Sequence, residues 1–294
     1  MSLNWRLAPI EELEKESSVR LRIYESPGDS MAAMALDMLT EIIVNNARNV
    51  NTCMIVPVGP VDQYHYFAMA VNALRLDLSN VHLFNMDEYL DNDKKFIPFD
   101  DPLSFHGSMQ KNLYDLLDPE LAIPEENRWF PTPGQEEQLW DKMRELGGID
   151  VCYGGIGING HIAFNEAEDP NQVSVEEFGA RPTRVLRLTR EVVATNSAAC
   201  LGEMPRMPRW AITLGMRECL SARRIVIHSG YSSRVYQLRR ALCGGASPAF
   251  PVSYLQEHPN ATILTVKDSL FPLRPYNGYL WPDNGARDSM GRSI

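Results

Sequence analysis

The sequence lacks any run of apolar residues long enough to cross a bilayer, for which about 18 or more in succession are needed. It begins without the basic and apolar segments that mark a secretory signal peptide. Cysteine is scarce: the five cysteines form no CxxC pair, and their odd number does not suit a disulfide framework. We therefore expect a cytoplasmic protein with reduced thiols and no membrane partner.

Positive charge is the second deficit. Lys and Arg number 28 against 38 Asp and Glu, which gives a formal net charge of −10 at pH 7. Such a chain has no electrostatic attraction for nucleic acids or anionic membranes, so neither is expected as a partner. A small molecule is the expected partner, and a local cationic pocket for a small anion stays compatible with this charge.

What is present is an ordinary globular composition, with 44% hydrophobic and 22% charged residues. Apolar runs of strand length alternate with helical patterns. We predict strands over residues 53–58, 81–86, 150–153, 185–189, 211–214, 224–228 and 262–266. We predict helices over residues 29–46, 62–74, 102–117, 135–146 and 232–243. Asp29 and Ser232 are the expected N-caps of the first and last of these helices.

This alternation predicts an α/β fold with a doubly wound, mostly parallel Rossmann-like sheet and helices on both faces. We expect an N-terminal extension over residues 1–28, the α/β domain over 29–268, and an extended, proline-containing tail over 269–294. Ligands of such folds bind beyond the carboxyl ends of the strands, so the residues that follow each strand are the functional candidates.

One candidate segment places two adjacent carboxylates, Asp87 and Glu88, directly after an apolar strand. Adjacent residues at a strand end point in different directions, so at most one of them is expected to face a crevice. Two interpretations stay open at this point. The segment is either an exposed acidic turn, or it supplies a partly desolvated carboxylate with a raised pKa that acts as a proton-transfer base.

The second segment is rich in glycine and contains one histidine. Gly155, Gly157 and Gly160 match the spacing GxGxxG after an apolar strand, so a nicotinamide enzyme is one interpretation. The motif lies in the middle of the chain, and no clear amphipathic helix follows it. The other interpretation is that the glycines let the backbone approach a ligand and present His161 at the strand end.

Longer motifs resemble the glucosamine-6-phosphate deaminase/isomerase family. The segments that carry the resemblance are Asn85-Met86-Asp87-Glu88-Tyr89, Gly160-His161-Ile162-Ala163-Phe164-Asn165-Glu166, Thr183-Arg184-Val185, Thr195-Asn196-Ser197 and Ala211-Ile212-Thr213-Leu214-Gly215-Met216. The resemblance implies an enzyme that opens an amino-sugar phosphate ring, moves a proton between C2 and C1, and releases ammonia. It implies no cofactor and no metal, and it implies a homo-oligomer.

The resemblance also implies roles for individual residues. Asp87 corresponds to the base that moves the C2 proton, and His161 to the acid/base of ring opening. Glu166 corresponds to a carboxylate that orients and charges the histidine. Asn159 replaces the family's usual aspartate, and a comparable replacement in a serine protease costs about 10⁴ in rate. Glu88 is expected only to support substrate binding.

The expected phosphate-binding residues depart from the family pattern. Gly59 lies in the loop that corresponds to the family's phosphate loop, but Pro60 removes an N–H donor there. Asp62 adds a negative charge near the start of the next helix, where it would repel an anion. Arg184 matches a phosphate-contacting arginine of the family, and Arg234 is the nearest cation to the position of its lysine. With Gly157 and Gly160, these residues complete the predicted binding set.

Two alternative functions remain open. A 6-phosphogluconolactonase-like hydrolase would share the fold and use the histidine, although the Asp87 segment favours the deaminase. A catalytically weakened sugar-binding sensor would explain the amide at Asn159 and the altered loop.

Overall fold

A seven-stranded parallel sheet forms the centre of the computed structural model, which describes residues 5–230 and 232–270. The strands are β1 (Arg20–Tyr24), β2 (Thr52–Val56), β3 (Val81–Asn85), β4 (Asp87–Leu90), β5 (Arg128–Trp129), β6 (Val151–Gly155), β7 (Arg184–Arg187), β8 (Trp210–Thr213), β9 (Arg224–Ser229) and β10 (Ala261–Val266). The main sheet has the order β1-β10-β9-β6-β2-β3-β5, and all of its described pairings are parallel. A second, antiparallel sheet has the order β4-β8-β7.

Helices cover both faces of the main sheet, as the doubly wound interpretation predicts. They are α1 (Ile10–Glu16), α2 (Pro27–Ala47), α3 (Asp62–Leu74), α4 (Phe105–Asn112), α5 (Gln138–Glu145), α6 (Val175–Gly179), α7 (Arg190–Asn196), α8 (Met216–Leu220) and α9 (Val235–Leu242), with short 3₁₀ turns between several of them. One core cluster joins the sheet to α1, α5, α8 and α9, and another joins it to α2, α3 and α4. The predicted α/β fold class is confirmed.

Both predicted N-caps need correction. The Ser26 side chain accepts a hydrogen bond from the Asp29 amide, and the Asp29 carboxylate accepts one from the Ser26 amide. Ser26 is therefore the N-cap of α2, and Asp29 is the third helical residue of this capping box. At α9 a 3₁₀ turn, Ser232–Arg234, precedes the helix, so its N-cap is Arg234.

The segment expected to be an N-terminal extension instead contributes to the core. Strand β1 pairs in parallel with β10 at the edge of the main sheet. Leu13 and Leu21 are buried in the core cluster, and the buried Arg239 guanidinium donates hydrogen bonds to the carbonyls of Trp5 and Ala8. The expected C-terminal tail falls, for residues 271–294, outside the described part of the chain.

The chain crosses from the main sheet to the small sheet at Met86. The Met86 amide donates to the Val56 carbonyl of β2, and the Met86 carbonyl accepts from the Leu214 amide after β8. The two strands predicted over residues 185–189 and 211–214 thus belong to the small antiparallel sheet, as β7 and β8, and not to the parallel one. This junction places Asp87, the first residue of β4, beside the carboxyl ends of the parallel strands.

Candidate active site

A cleft of about 300 Å³ opens at the carboxyl ends of the four neighbouring strands β9, β6, β2 and β3. Such an edge is where ligands of open parallel sheets bind, because loops diverge there and backbone amides point outward. The cleft is lined by residues 57–60 after β2, 86–87 after β3, 155–158 and 161 after β6, and 228–229 at the end of β9. Residues 105, 163–164, 196 and 234 complete its wall.

Asp87 lines this cleft, yet only 6% of its surface is exposed. Burial raises the pKa of its carboxyl well above the ordinary value, and the negative charge of neighbouring Glu88 raises that pKa further. A carboxylate in this setting is a stronger base than an exposed aspartate, which suits proton abstraction from carbon.

Glu88 points away from the cleft and holds the start of α4. Its carboxylate accepts hydrogen bonds from the amides of Tyr89, Phe105 and His106, from the hydroxyl of Ser104 and from Nδ1 of His106. All its distances to nitrogen lie between 2.7 and 2.9 Å. The structure thus gives Glu88 an anchoring contact with a helix N-terminus in place of the expected contact with substrate.

His161 lies against the backbone of Gly157, and both line the cleft. A Cβ added at Gly157 would collide with Nε2 of the imidazole, so the ring can occupy this place only because residue 157 is glycine. Burial lowers the pKa of His161 to about 4, and the positive charge of Arg234 contributes to this lowering. The imidazole is therefore neutral at pH 7 and able to accept a proton.

Asn159 and Glu166 stand behind this histidine. His161 Nδ1 lies 2.7 Å from Asn159 Oδ1, and Asn159 Nδ2 donates to Glu166 Oε2 at 3.1 Å. The other oxygen of Glu166, Oε1, accepts from the Thr189 amide at 2.9 Å. Glu166 thus reaches His161 through the amide of Asn159.

Gly160 supports the turn that carries the histidine and lies outside the cleft lining. Its φ of +81° is in the left-handed region that favours glycine, and an added Cβ would approach the Phe250 ring to 2.7 Å. Residues 156–170 form turns and loop without a long helix, so GxGxxG does not open a dinucleotide-binding helix here.

Only some of the expected phosphate-binding residues line the cleft. Gly59 lines the cleft, in the loop that runs from Pro57 to Pro60. Asp62 lies at the first turn of α3 and outside the lining, and the N-cap of that helix is Val61.

The two candidate arginines also differ in position. Arg184 Nη1 donates to Asn165 Oδ1 at 2.7 Å and to the Pro182 carbonyl at 3.3 Å, away from the cleft. Arg234 lines the cleft, and its Nε donates to the Ile156 carbonyl at 3.3 Å. Of the two, only Arg234 is placed to meet an anionic group of a ligand there.

Several cleft residues were missed by the sequence analysis. His228 and Ser229 end β9, Asn196 is the last residue of α7, and the rings of Phe105 and Phe164 form an apolar wall. The position of the two β9 residues at the end of a predicted strand was the signal that could have identified them.

His228 and Ser229 differ in their hydrogen bonds. Nε2 of His228 lies 2.9 Å from the hydroxyl of Ser30, and burial lowers the pKa of His228 to about 4. The Ser229 hydroxyl is buried and has no hydrogen-bond partner among the described residues. A buried hydroxyl at a cleft wall is suited to bind a polar ligand atom.

No group of three or more His, Cys, Asp and Glu side chains within residues 5–230 and 232–270 is placed to hold a metal ion. None of the helices in that part of the chain is both long enough and apolar enough to span a membrane.

Fold and cleft together define a class of protein: an α/β protein that brings a buried carboxyl and a neutral imidazole to the carboxyl edge of a parallel sheet. Comparison with curated proteins identifies the family. The chain is 33% identical over 213 residues to glucosamine-6-phosphate deaminase of Rhodopirellula baltica, with 70% of this chain and 77% of the relative covered. It is 29% identical over 260 residues to the protein of that name from Colwellia psychrerythraea, with 86% and 90% covered. The chain belongs to the glucosamine-6-phosphate deaminase family of enzymes, which confirms the resemblance.

Solved structures show the same fold. A monomeric glucosamine-6-phosphate deaminase superposes with a TM-score of 0.74 at 22% identity, covering 87% of this chain and 100% of the other. A 6-phosphogluconolactonase from Thermotoga maritima superposes with a TM-score of 0.62 at 14% identity, covering 85% and 100%. A comparison with protein-family profiles found no match.

Proposed function

We propose that this chain is a sugar-phosphate isomerase and deaminase that converts glucosamine 6-phosphate and water into fructose 6-phosphate and ammonia. The observation that carries the proposal is the meeting of Asp87 and His161 in one cleft of about 300 Å³. The pKa of Asp87 is raised, which makes its carboxylate more basic, and the pKa of His161 is lowered, which keeps its imidazole neutral. Both shifts suit the proton transfers of the reaction. Family membership supports the choice of substrate.

Ring opening is the first step. Neutral His161 accepts the proton of the anomeric hydroxyl at Nε2 while the bond from C1 to the ring oxygen breaks. The resulting imidazolium returns that proton to the ring oxygen, which leaves an open-chain aldehyde and restores the neutral imidazole.

Isomerisation follows at the adjacent carbon. The Asp87 carboxylate removes the proton from C2, and the electron pair of that bond forms the C1–C2 double bond of an enolamine. The electron pair of the C1 carbonyl moves onto its oxygen, which takes a proton from solvent. Protonated Asp87 then gives its proton to C1, which leaves an iminium at C2. Water adds to the iminium, and loss of ammonia and of one proton to solvent leaves the ketose, so that water supplies the new carbonyl oxygen.

Substrate binding is assigned to the rest of the wall. We assign Arg234 to the phosphate, because a guanidinium binds phosphate in a bidentate manner, and Gly59 to the loop that the phosphate approaches. The Ser229 hydroxyl is assigned to a sugar oxygen. The proposal requires no cofactor, and it includes a homo-oligomer in the cytoplasm. Sedimentation of the purified chain tests the oligomer.

The first experiment measures ammonia release from glucosamine 6-phosphate and solvent deuterium exchange at C2. The native enzyme is expected to do both. The variant Asp87→Asn is expected to lose C2 exchange by at least about 10²-fold, because an amide cannot accept the proton. Asp115→Asn, at an exposed aspartate that pairs with Gln110, is the matched control. Undiminished exchange in Asp87→Asn would remove Asp87 from the mechanism.

A lactone hydrolase is the second candidate, because His161 alone in the cleft would suffice to activate water and the fold is shared with a 6-phosphogluconolactonase. The same variants separate the two functions. Hydrolysis of 6-phosphogluconolactone by both native enzyme and Asp87→Asn, without ammonia release, would replace the deaminase by the lactonase.

A further inference from the structure

Four groups form a continuous row of hydrogen bonds that ends at the cleft. The row runs from the Thr189 amide to the Glu166 carboxylate, then to the Asn159 amide and finally to the His161 ring, with distances of 2.9, 3.1 and 2.7 Å. Glu166 is only 8% exposed, so its two bonded oxygens are largely shielded from water.

The direction of each bond follows from what each group can donate. An ionised carboxylate only accepts hydrogen bonds, so the Asn159 side chain must turn its NH₂ group toward Glu166. The carbonyl oxygen of the same amide then faces His161, and it too can only accept. Nδ1 of the imidazole must therefore carry the proton, and the neutral ring keeps its lone pair on Nε2.

We propose that Glu166 is a positioning residue that sets the tautomer of His161 through the Asn159 amide. The consequence for catalysis rests on the proposed function: only the Nδ1–H tautomer leaves Nε2, the nitrogen that lies over Gly157 at the cleft wall, able to accept the anomeric proton. The tautomer itself is a property of the resting protein and does not depend on which substrate is bound.

The Asn159 amide can face His161 in either of two orientations, whereas a carboxylate would face it in only one chemical form. An aspartate at position 159 would accept from the histidine in any rotation, whereas an asparagine presents either oxygen or nitrogen. The orientation is therefore decided by the next residue along the row, which is Glu166.

The variant Glu166→Gln is the direct test. The Thr189 amide can only donate, so it holds the side-chain oxygen of the new glutamine and leaves the glutamine NH₂ facing Asn159. The Asn159 amide must then rotate and turn its own NH₂ to His161, which forces the proton onto Nε2. We expect ¹⁵N NMR of labelled histidine at pH 7 to report the Nε2–H tautomer, and kcat to fall by about 10²–10⁴-fold.

The double variant Asn159→Asp, Glu166→Gln exchanges the amide and the carboxylate. The new glutamine then donates to the new aspartate, and the aspartate accepts from Nδ1–H of His161, so the number of hydrogen bonds and the charge are both preserved. We expect the Nδ1–H tautomer to return and kcat to recover to within about tenfold of the native value, since the lost general base is restored. The control is Glu168→Gln, at a nearby acid that pairs with Arg181 at 2.7 Å, with no expected change of tautomer.

The chain has six histidines, so the ¹⁵N signals of His161 must be assigned. They are the signals that disappear from the spectrum of the variant His161→Gln. Retention of the Nδ1–H tautomer in folded Glu166→Gln would overturn the proposal, as would the Nε2–H tautomer in the double variant. If Glu166→Gln does not fold, the double variant decides by the same readout. If Glu166→Gln changes the tautomer as expected but the native protein releases no ammonia, the role of Glu166 stands and the proposed function is rejected.

Discussion

Gly157 leaves space for the ring of His161 because glycine has no Cβ. The His161 ring lies where a Cβ of residue 157 would be, and Nε2 is among the atoms that such a Cβ would meet. The pattern GxGxxG therefore has a local physical meaning in this chain that is unrelated to dinucleotide binding. It makes room for an imidazole at a strand end.

The substitution Gly157→Ala tests this packing. We expect the ring to be displaced and kcat to fall by at least about 10²-fold, because a displacement of about 1 Å costs that much in a positioned site. Gly28→Ala in the first turn of α2 is the control, since a Cβ there meets only ordinary contacts at 3.5 Å or more. Activity of Gly157→Ala equal to that of the control would contradict this account.

Asp87 carries a cost in stability at neutral pH. A raised pKa in the folded protein means that the folded chain binds a proton at Asp87 more tightly than the unfolded chain does. Protonation of Asp87 therefore stabilises the fold at low pH, and this stabilisation is lost as pH rises through the folded pKa. We expect Asp87→Asn to raise Tm at pH 7, by about 2–4 °C per kcal/mol relieved. The gain should shrink toward pH 4. Thermal unfolding at both pH values measures it, and a lower Tm at pH 7 would count against the desolvation argument.

At the scale of single elements, Glu88 joins β4 to the N-terminus of α4. Five donors converge on its carboxylate, and two of them are helix amides at 2.8 and 2.9 Å. The first residue of that helix, Phe105, contributes to the cleft wall. The same contact therefore fixes a wall of the cleft and holds a negative charge beside Asp87.

Glu88→Gln should destabilise the fold, because its NH₂ group would face donors and leave at least one of them unsatisfied. We expect a loss of about 1–3 kcal/mol in the free energy of unfolding, measured by urea denaturation. Asp115→Asn, on an exposed site just beyond α4, should change it by no more than about 0.5 kcal/mol. Equal stability of the two variants would show that the anchor is dispensable.

At the scale of the whole molecule, two neutral histidines, one buried and one partly buried, make the fold sensitive to acid. The pKa values of both His161 and His228 are lowered to about 4 by burial. Below pH 6.5 the unfolded chain takes up protons that the folded chain refuses, so stability falls as pH drops from 6.5 toward 4 and is unaffected by these groups at higher pH.

His228→Gln should reduce this acid sensitivity. Between about pH 7 and pH 5, the free energy of unfolding should fall by about 2 kcal/mol more in the native protein than in the variant. The reason is that the variant lacks the buried histidine whose protonation favours the unfolded chain. Urea denaturation at the two pH values measures the difference. His65→Gln, at an exposed histidine, is the control. An unchanged pH dependence in His228→Gln would show that the low pKa of this residue does not limit stability.

Much of the fold was predictable because buried parallel strands have continuous apolar sequences. All seven predicted strands form, and no end differs from its prediction by more than two residues. β1 was missed since its sequence, RLRIY, alternates charged and apolar residues, as suits an edge strand. β4 was missed because its sequence, DEYL, begins with two acids, a pattern that does not predict a buried strand, although both are buried.

Local pattern was sufficient for the fold class and for a site at the sheet edge, because the candidate segments follow apolar strands. The roles predicted for Asp87 and His161 came from the longer family motifs, since the local pattern left two interpretations open for each segment. Three-dimensional packing was needed to bring in His228 and Ser229 and to turn Arg184 away from the cleft. The physical reason is that strand order places β9 beside β6, residues far apart in the chain meet only at that edge, and the direction of a side chain is set by the partner that it finds there.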